Sequence, residues 1–153
     1  MVLILIGEFA DNIPGDDIKL VTHNSKIIDD DALYKIIVPT YMGLFSSGGN
    51  KNEEKYGTIP LEQNRSAFAW SCSTIQSQKS RLLVAVVPTN ELSGTISLIN
   101  TKEVQERIKQ IKSILMTEEL DIDVLNRAIA MLDSNLQGQD EVNRLSNVFG
   151  NEI

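Results

Sequence analysis

SAFAWSCSTI, residues 66–75, and RLLVAVVP, residues 81–88, decide the fold. In the first segment Phe68, Trp70, Cys72 and Thr74 point one way, and Ala67, Ala69, Ser71, Ser73 and Ile75 the other. That period of two, carrying the chain's only tryptophan, marks a β-strand with one heavy face. Gln76–Ser80 (QSQKS) is a polar turn. The second segment is apolar from Leu82 to Val87, which predicts a strand buried on both faces at the centre of a sheet. Pro88 has no N–H for a ladder hydrogen bond and ends it. The two arms form a hairpin that the rest of the chain must cover or extend.

Upstream, Val2 to Phe9 is an apolar run broken by Gly7 and Glu8, and it predicts a first strand. Asn12, Pro14, Gly15, Asp16 and Asp17 make a turn cluster, after which Ile18 to Thr22 (IKLVT) forms a second strand. Leu33, Ile36, Ile37, Tyr41, Leu44 and Phe45 share one helical face, and Asp29, Asp30 and Asp31 suit the positive end of that helix. Pro39 removes a helical hydrogen bond and predicts a kink, or a split near Val38. Gly43 weakens the last turn. Ser46–Gly57 is an exposed polar loop, and Thr58–Glu62 is a short edge strand that tolerates Pro60.

Downstream, Thr89–Gly94 reads as a turn and Thr95–Ile99 (TISLI) as one more short strand. Asn100–Glu103 resembles a capping box for a helix striped by Val104, Ile108, Ile111 and Leu115. Asp121 or Asp123 caps a further helix bearing Val124, Leu125, Ala128, Ile129, Leu132 and Leu136, with Gly138 as its stop. Val142, Leu145, Val148 and Phe149 suggest a last short helix. The expected class is α/β (α+β), with a mainly antiparallel five-stranded sheet packed by helices in the order β-β-α-β-β-β-α-α. Residues 1–138 form one domain and residues 139–153 a short C-terminal helix or tail.

With 153 residues, 42% of them hydrophobic, the chain can bury a real core. A formal charge of −7 argues against nucleic acid, whose phosphates call for clustered Lys and Arg, and against docking on anionic lipid. One cysteine allows no internal disulfide, so a cytoplasmic location is expected. No apolar run approaches the roughly 18–20 residues of a membrane span, so direct membrane insertion is not expected. MVLILIGEF lacks the basic flank and cleavage site of a signal peptide.

The reactive residue types are scattered. His23, the only histidine, sits in a polar segment without a second ligand nearby, and reads as a strand-end or loop residue rather than a base. Cys72 shares a face with Phe68 and Trp70, as a buried structural cysteine does. Asp16-Asp17, Asp29–Asp31 and Asp121-x-Asp123 lack the spaced oxygen series of a calcium loop, so capping and solvation explain them. Ser46-Ser47-Gly48-Gly49 with Lys51 follows a helix and lacks the spacing of a phosphate-binding loop. No catalytic residue, metal ligand or cofactor site is assigned. Tyr41, Leu44 and Phe45, beyond Pro39, and Val142, Leu145 and Phe149, on the terminal helix, are the candidate partner-binding residues, with core packing as the alternative for each set.

The opening Met-Val-Leu, Ile6 and then Ala10-Asp11-x-Ile13-Pro14 resembles the start of longin domains of trafficking SNAREs, and the element order is similar to theirs. Roadblock and profilin-like folds share parts of the layout. The close motif covers the first 14 residues. No SNARE heptad region follows, and Pro39 and the long loop after the first helix depart from the pattern. The resemblance implies a non-enzymatic adaptor or regulator for small GTPases or sister subunits in vesicle-trafficking complexes, acting as a homo- or heterodimer. The alternatives are a ligand-sensing domain with a pocket beside Trp70 and, behind it, a hydrolase or transferase using Asp, Ser or Lys.

Overall fold

In a computed structural model that describes residues 2–9, 18–26, 28–45, 54–77 and 79–150, with the backbone alone described over 138–150, the elements run as follows. Strands β1 (Leu3–Phe9) and β2 (Ile18–His23) precede helix α1 (Asp30–Leu44). Strands β3 (Tyr56–Leu61), β4 (Arg65–Ser73) and β5 (Ser80–Pro88) follow, then helices α2 (Leu92–Ile99), α3 (Lys102–Leu115) and α4 (Ile122–Gly150). All strand pairings are antiparallel, in the order β2-β1-β5-β4-β3. The expected hairpin is therefore β4–β5, and β5 lies at the centre between β1 and β4.

The heavy and light faces of β4 decide what packs where. Phe68, Trp70 and Cys72 join Leu83, Ala85, Val87, Ile4 and Ile6 under α2, α3 and α4. Ala67 and Ala69 lie on the other face with Leu5, Leu82 and Val84, under α1. Small residues there let the single helix settle close to the strands. At Gly7 an added Cβ would meet Ile37 Cδ1 at 2.3 Å, and at Gly43 it would meet Ile59 Cγ2 at 2.9 Å. Glycine at both positions is thus a condition of the α1–sheet approach.

Side-chain caps mark the starts of α1, α3 and α4, while α2 follows its 3-10 turn without one. Asp29 Oδ1 accepts the Ala32 N–H at 2.9 Å. Asp121 Oδ1 accepts the Val124 N–H at 3.3 Å at the start of α4. The cap of α3 is Thr101, whose Oγ1 accepts from Val104 N at 3.4 Å, one residue past the expected Asn100. Pro39 does not split α1, which runs unbroken through it. The Thr40 hydroxyl donates to the Ile36 carbonyl at 2.7 Å beside the proline.

Three expectations are corrected. Thr95–Ile99 is not a strand but the end of α2, after a 3-10 turn at Thr89–Glu91. Its alternation is only five residues long, and Leu92, Thr95 and Ile99 fit a helical stripe equally well. Gly138 does not stop α4, which continues to Gly150 without a separate terminal helix. Strand β3 begins at Tyr56, two positions before the expected start, so Tyr56 and Gly57 belong to the strand. Residues 46–53 and the Ala10–Pro14 motif lie outside the described residues.

One feature was invisible in the apolar pattern. Arg81, the second residue of β5, has its side chain 2% exposed, on the face covered by α3 and α4. Its Nη1 donates to the Leu115 carbonyl at 2.8 Å and also to that of Thr117, and its Nη2 donates to the Glu118 carbonyl at 3.0 Å. A guanidinium thus satisfies acceptors left over where α3 ends. Glu118 completes the join from the other side: its carboxylate accepts from the Gln76 and Ser77 amides and the Ser77 hydroxyl in the β4–β5 turn.

Candidate binding groove

A concavity with a volume of about 1050 Å³ lies between α1 and the β3–β4 turn. Ala32, Lys35, Val38 and Pro39 form one wall, while Pro60, Leu61, Gln63 and Arg65 form the other. The helical wall follows from spacing, since positions 32, 35 and 39 recur on one side of a helix. The other wall depends on a tight turn. Leu61 pairs with Arg65, leaving a short connection in which Gln63 and Asn64 have φ of 61° and 57°. Both take the left-handed conformation that such hairpin turns demand; asparagine accepts it readily, glutamine less so.

Backbone chemistry distinguishes the rim. Pro39 has no N–H to give the Lys35 carbonyl its usual helical partner. Strand β3 is a sheet edge, and Ser71 N donates to the Lys55 carbonyl at 2.9 Å, so Lys55 faces β4. By the alternation of an antiparallel ladder, the backbone groups of Tyr56, Thr58 and Pro60 face away from the sheet. Pro60 therefore costs no ladder bond and leaves an outward carbonyl. Arg65 Nε donates to the Glu62 carbonyl at 3.4 Å, which ties its stem over the turn. Among the described residues neither Lys35 nor Arg65 belongs to an ion pair.

The residues singled out in the sequence fall elsewhere. Tyr41 and Leu44 are 4% and 8% exposed, and Tyr41 packs on Phe9 with ring centroids 4.2 Å apart. Phe45 is half-buried against both rings, with Lys55 Nζ 5.1 Å from its own. That end of α1 is therefore core packing and not an open docking face. Val142, Leu145 and Phe149 lie on the α4 backbone, and their side chains are outside the described residues. His23 ends β2, where its Nδ1 accepts from Ser25 N and its Nε2 lies 3.8 Å from Asp30. Cys72 is buried, and desolvation pushes its thiol up to about 11, so it holds its proton at neutral pH. Trp70 is packed between Phe68 and Tyr56 on the side of the sheet away from the groove. No group of three His, Cys, Asp or Glu is placed to hold a metal, and no helix is long and apolar enough to cross a membrane, among the described residues. The signals that could have found the groove were Pro39 inside an otherwise regular helix and Gln-Asn at a hairpin turn.

No family model and no curated protein matches the sequence. Among solved structures the chain is similar to the longin domain of K. lactis Lst4, with a TM-score of 0.54 over 90% of this chain and 94% of that one. The fold is longin-like. At 13% identity the likeness is one of architecture: antiparallel sheet, single helix on one face, helices on the other. The longin-like arrangement places α1 directly beside the β3 edge, and that adjacency creates the groove.

Proposed function

We propose that this longin-like chain is a non-enzymatic interaction module, an adaptor or regulator in trafficking-type complexes whose partner is a small GTPase or a sister subunit. The observation that carries the reading is the groove between α1 and the β3–β4 turn. It combines apolar walls, two rim cations that form no ion pair among the described residues, and outward backbone acceptors, with no clustered acid, base or nucleophile in its lining. Pairing as a homo- or heterodimer and a cytoplasmic location belong to the same proposal. Val142, Leu145 and Phe149 recur at i, i+3 and i+7 on α4 and are the proposed second contact, for the sister subunit.

The test is direct binding. Purified small GTPases from the source organism, in both nucleotide states, are titrated against the full chain, and light scattering follows self-association. Binding of a GTPase, or a stable dimer, that weakens on Lys35→Glu supports the proposal. A strict monomer that binds no GTPase contradicts it.

A further inference from the structure

We infer that two copies of this chain pair antiparallel through the second half of α4, with Phe149 of each copy opposite Gly138 of the other. This rests on the reading of α4 as the second contact and is independent of the groove. Asn135 Nδ2 donates to Glu103 Oε1 at 2.8 Å, and Glu103 is the second residue of α3. Past that point no turn of α3 lies beside α4, yet the helix continues to Gly150, about 20 Å further.

The helix also changes its apolar face. Leu125, Ala128, Ile129, Leu132 and Leu136 are buried in the core under the helices. At about 100° per residue, the same face continues through Gln139, Asp140, Asn143 and Asn147, all polar. The apolar residues move to the opposite side: Val142, Leu145 and Phe149 take positions in line with Met131, which is 46% exposed. A shallow concavity on that line is lined by Arg107, Ala130, Met131, Ser134 and Asn135. A helix that packed back on its own domain would keep the first face; one that meets another helix needs the second.

Spacing and size select the occupant. Positions 138, 142, 145 and 149 alternate steps of four and three, the seam of a two-helix coil. One end of the seam is glycine and the other phenylalanine. Antiparallel pairing of two copies sets large against small at both ends and Val142 against Leu145 between them, as a two-fold interface requires. Parallel pairing would instead set Phe149 on Phe149 and leave a void at Gly138. Three apolar side chains per copy bury about 1,000 Å² in total, the size of a weak, reversible dimer. A lipid surface does not fit, because positions 138–150 carry Asp140 and Glu141 against Arg144 alone.

Sedimentation equilibrium of the full chain, up to submillimolar concentration, reads the pairing. Expected is a reversible dimer that Leu145→Glu weakens by at least about tenfold and that Asn143→Glu, on the polar face, leaves within about twofold. Both substitutions lie beyond Leu136, so the melting temperature of the domain should hold for each. Orientation is read by mixing a Val142→Cys chain with a Leu145→Cys chain under mild oxidation, since the buried Cys72 thiol keeps its proton. Mixed 142–145 disulfides should outnumber those joining like positions. Disulfides mainly between like positions, or a strict monomer, overturn the antiparallel pairing of two copies and leave a heteromeric contact on α4 standing. A dimer that survives Leu145→Glu pairs through another surface and overturns both.

Discussion

Arg81 Nε lies 3.0 Å from Glu8 Oε2, and the two residues are direct register partners across β5 and β1. The pair is asymmetric: Arg81 is 2% exposed and Glu8 21%. The same guanidinium reaches the carbonyls of Leu115, Thr117 and Glu118, so one side chain joins two central strands to the end of α3. Arg81→Met leaves those acceptors and the Glu8 charge without a donor. The expected loss is about 3–5 kcal/mol in urea denaturation. Glu8→Gln keeps an acceptor and should cost only about 1–2 kcal/mol. Equal losses for the two variants would show that the carbonyl contacts contribute little.

The approach of α1 to the sheet is set at Gly7. A Cβ there would lie 2.3 Å from Ile37 Cδ1, the far end of a fully buried side chain. Gly7→Ala should destabilise by about 1–3 kcal/mol, because the core has little room to yield. Adding Ile37→Val removes the offending methyl. The double variant should then lose less than the sum of the single variants, a coupling that a double-mutant cycle measures.

The β3–β4 turn holds Gln63 and Asn64 at positive φ. Replacing the pair by Asn-Gly supplies the residues this turn geometry favours. A gain of about 0.5–1 kcal/mol is expected by chemical denaturation. No gain would mean that the turn carries no strain.

Glu118 links the β4–β5 turn to the loop after α3. Hydrogen bonds from the Ser77 hydroxyl, then from the Ser77 and Gln76 amides, hold its carboxyl below the ordinary value of 4.5. A depressed folded value means the contact stabilises fully above the unfolded value. The contribution is lost as pH falls through the folded one. Urea midpoints followed from neutral pH to well below 4.5 should therefore fall more steeply for the wild type than for Glu118→Gln. Parallel curves would exclude the latch.

Most of the sheet was legible because its signals are local and periodic. The alternation over Ser66–Ile75 and the unbroken apolar run of Leu82–Val87 place β4 and β5 with little ambiguity, and Asp29 announces α1 through the cap it makes. TISLI misled because five residues cannot separate a period of two from one of 3.6. Gly138 misled because a glycine inside a long helix costs only about 1 kcal/mol, which neighbouring turns absorb. Pro39 and the Gln-Asn turn each left a local signal, but the meeting of the two groove walls and the Arg81 network were beyond reach for another reason. Each joins residues far apart in the chain, such as Pro39 with Gln63 or Arg81 with Leu115, and neither pairing leaves a periodic trace.

The most direct measurement is photo-cross-linking in the source cells. p-Benzoylphenylalanine is placed at position 32 on the groove wall and, separately, at position 75, where Ile75 is exposed in the β4–β5 turn. A discrete protein adduct from position 32, absent from position 75 and weakened when Lys35 is also replaced by glutamate, is the expected result. Adducts from position 75 alone would contradict an interaction site between α1 and the β3–β4 turn.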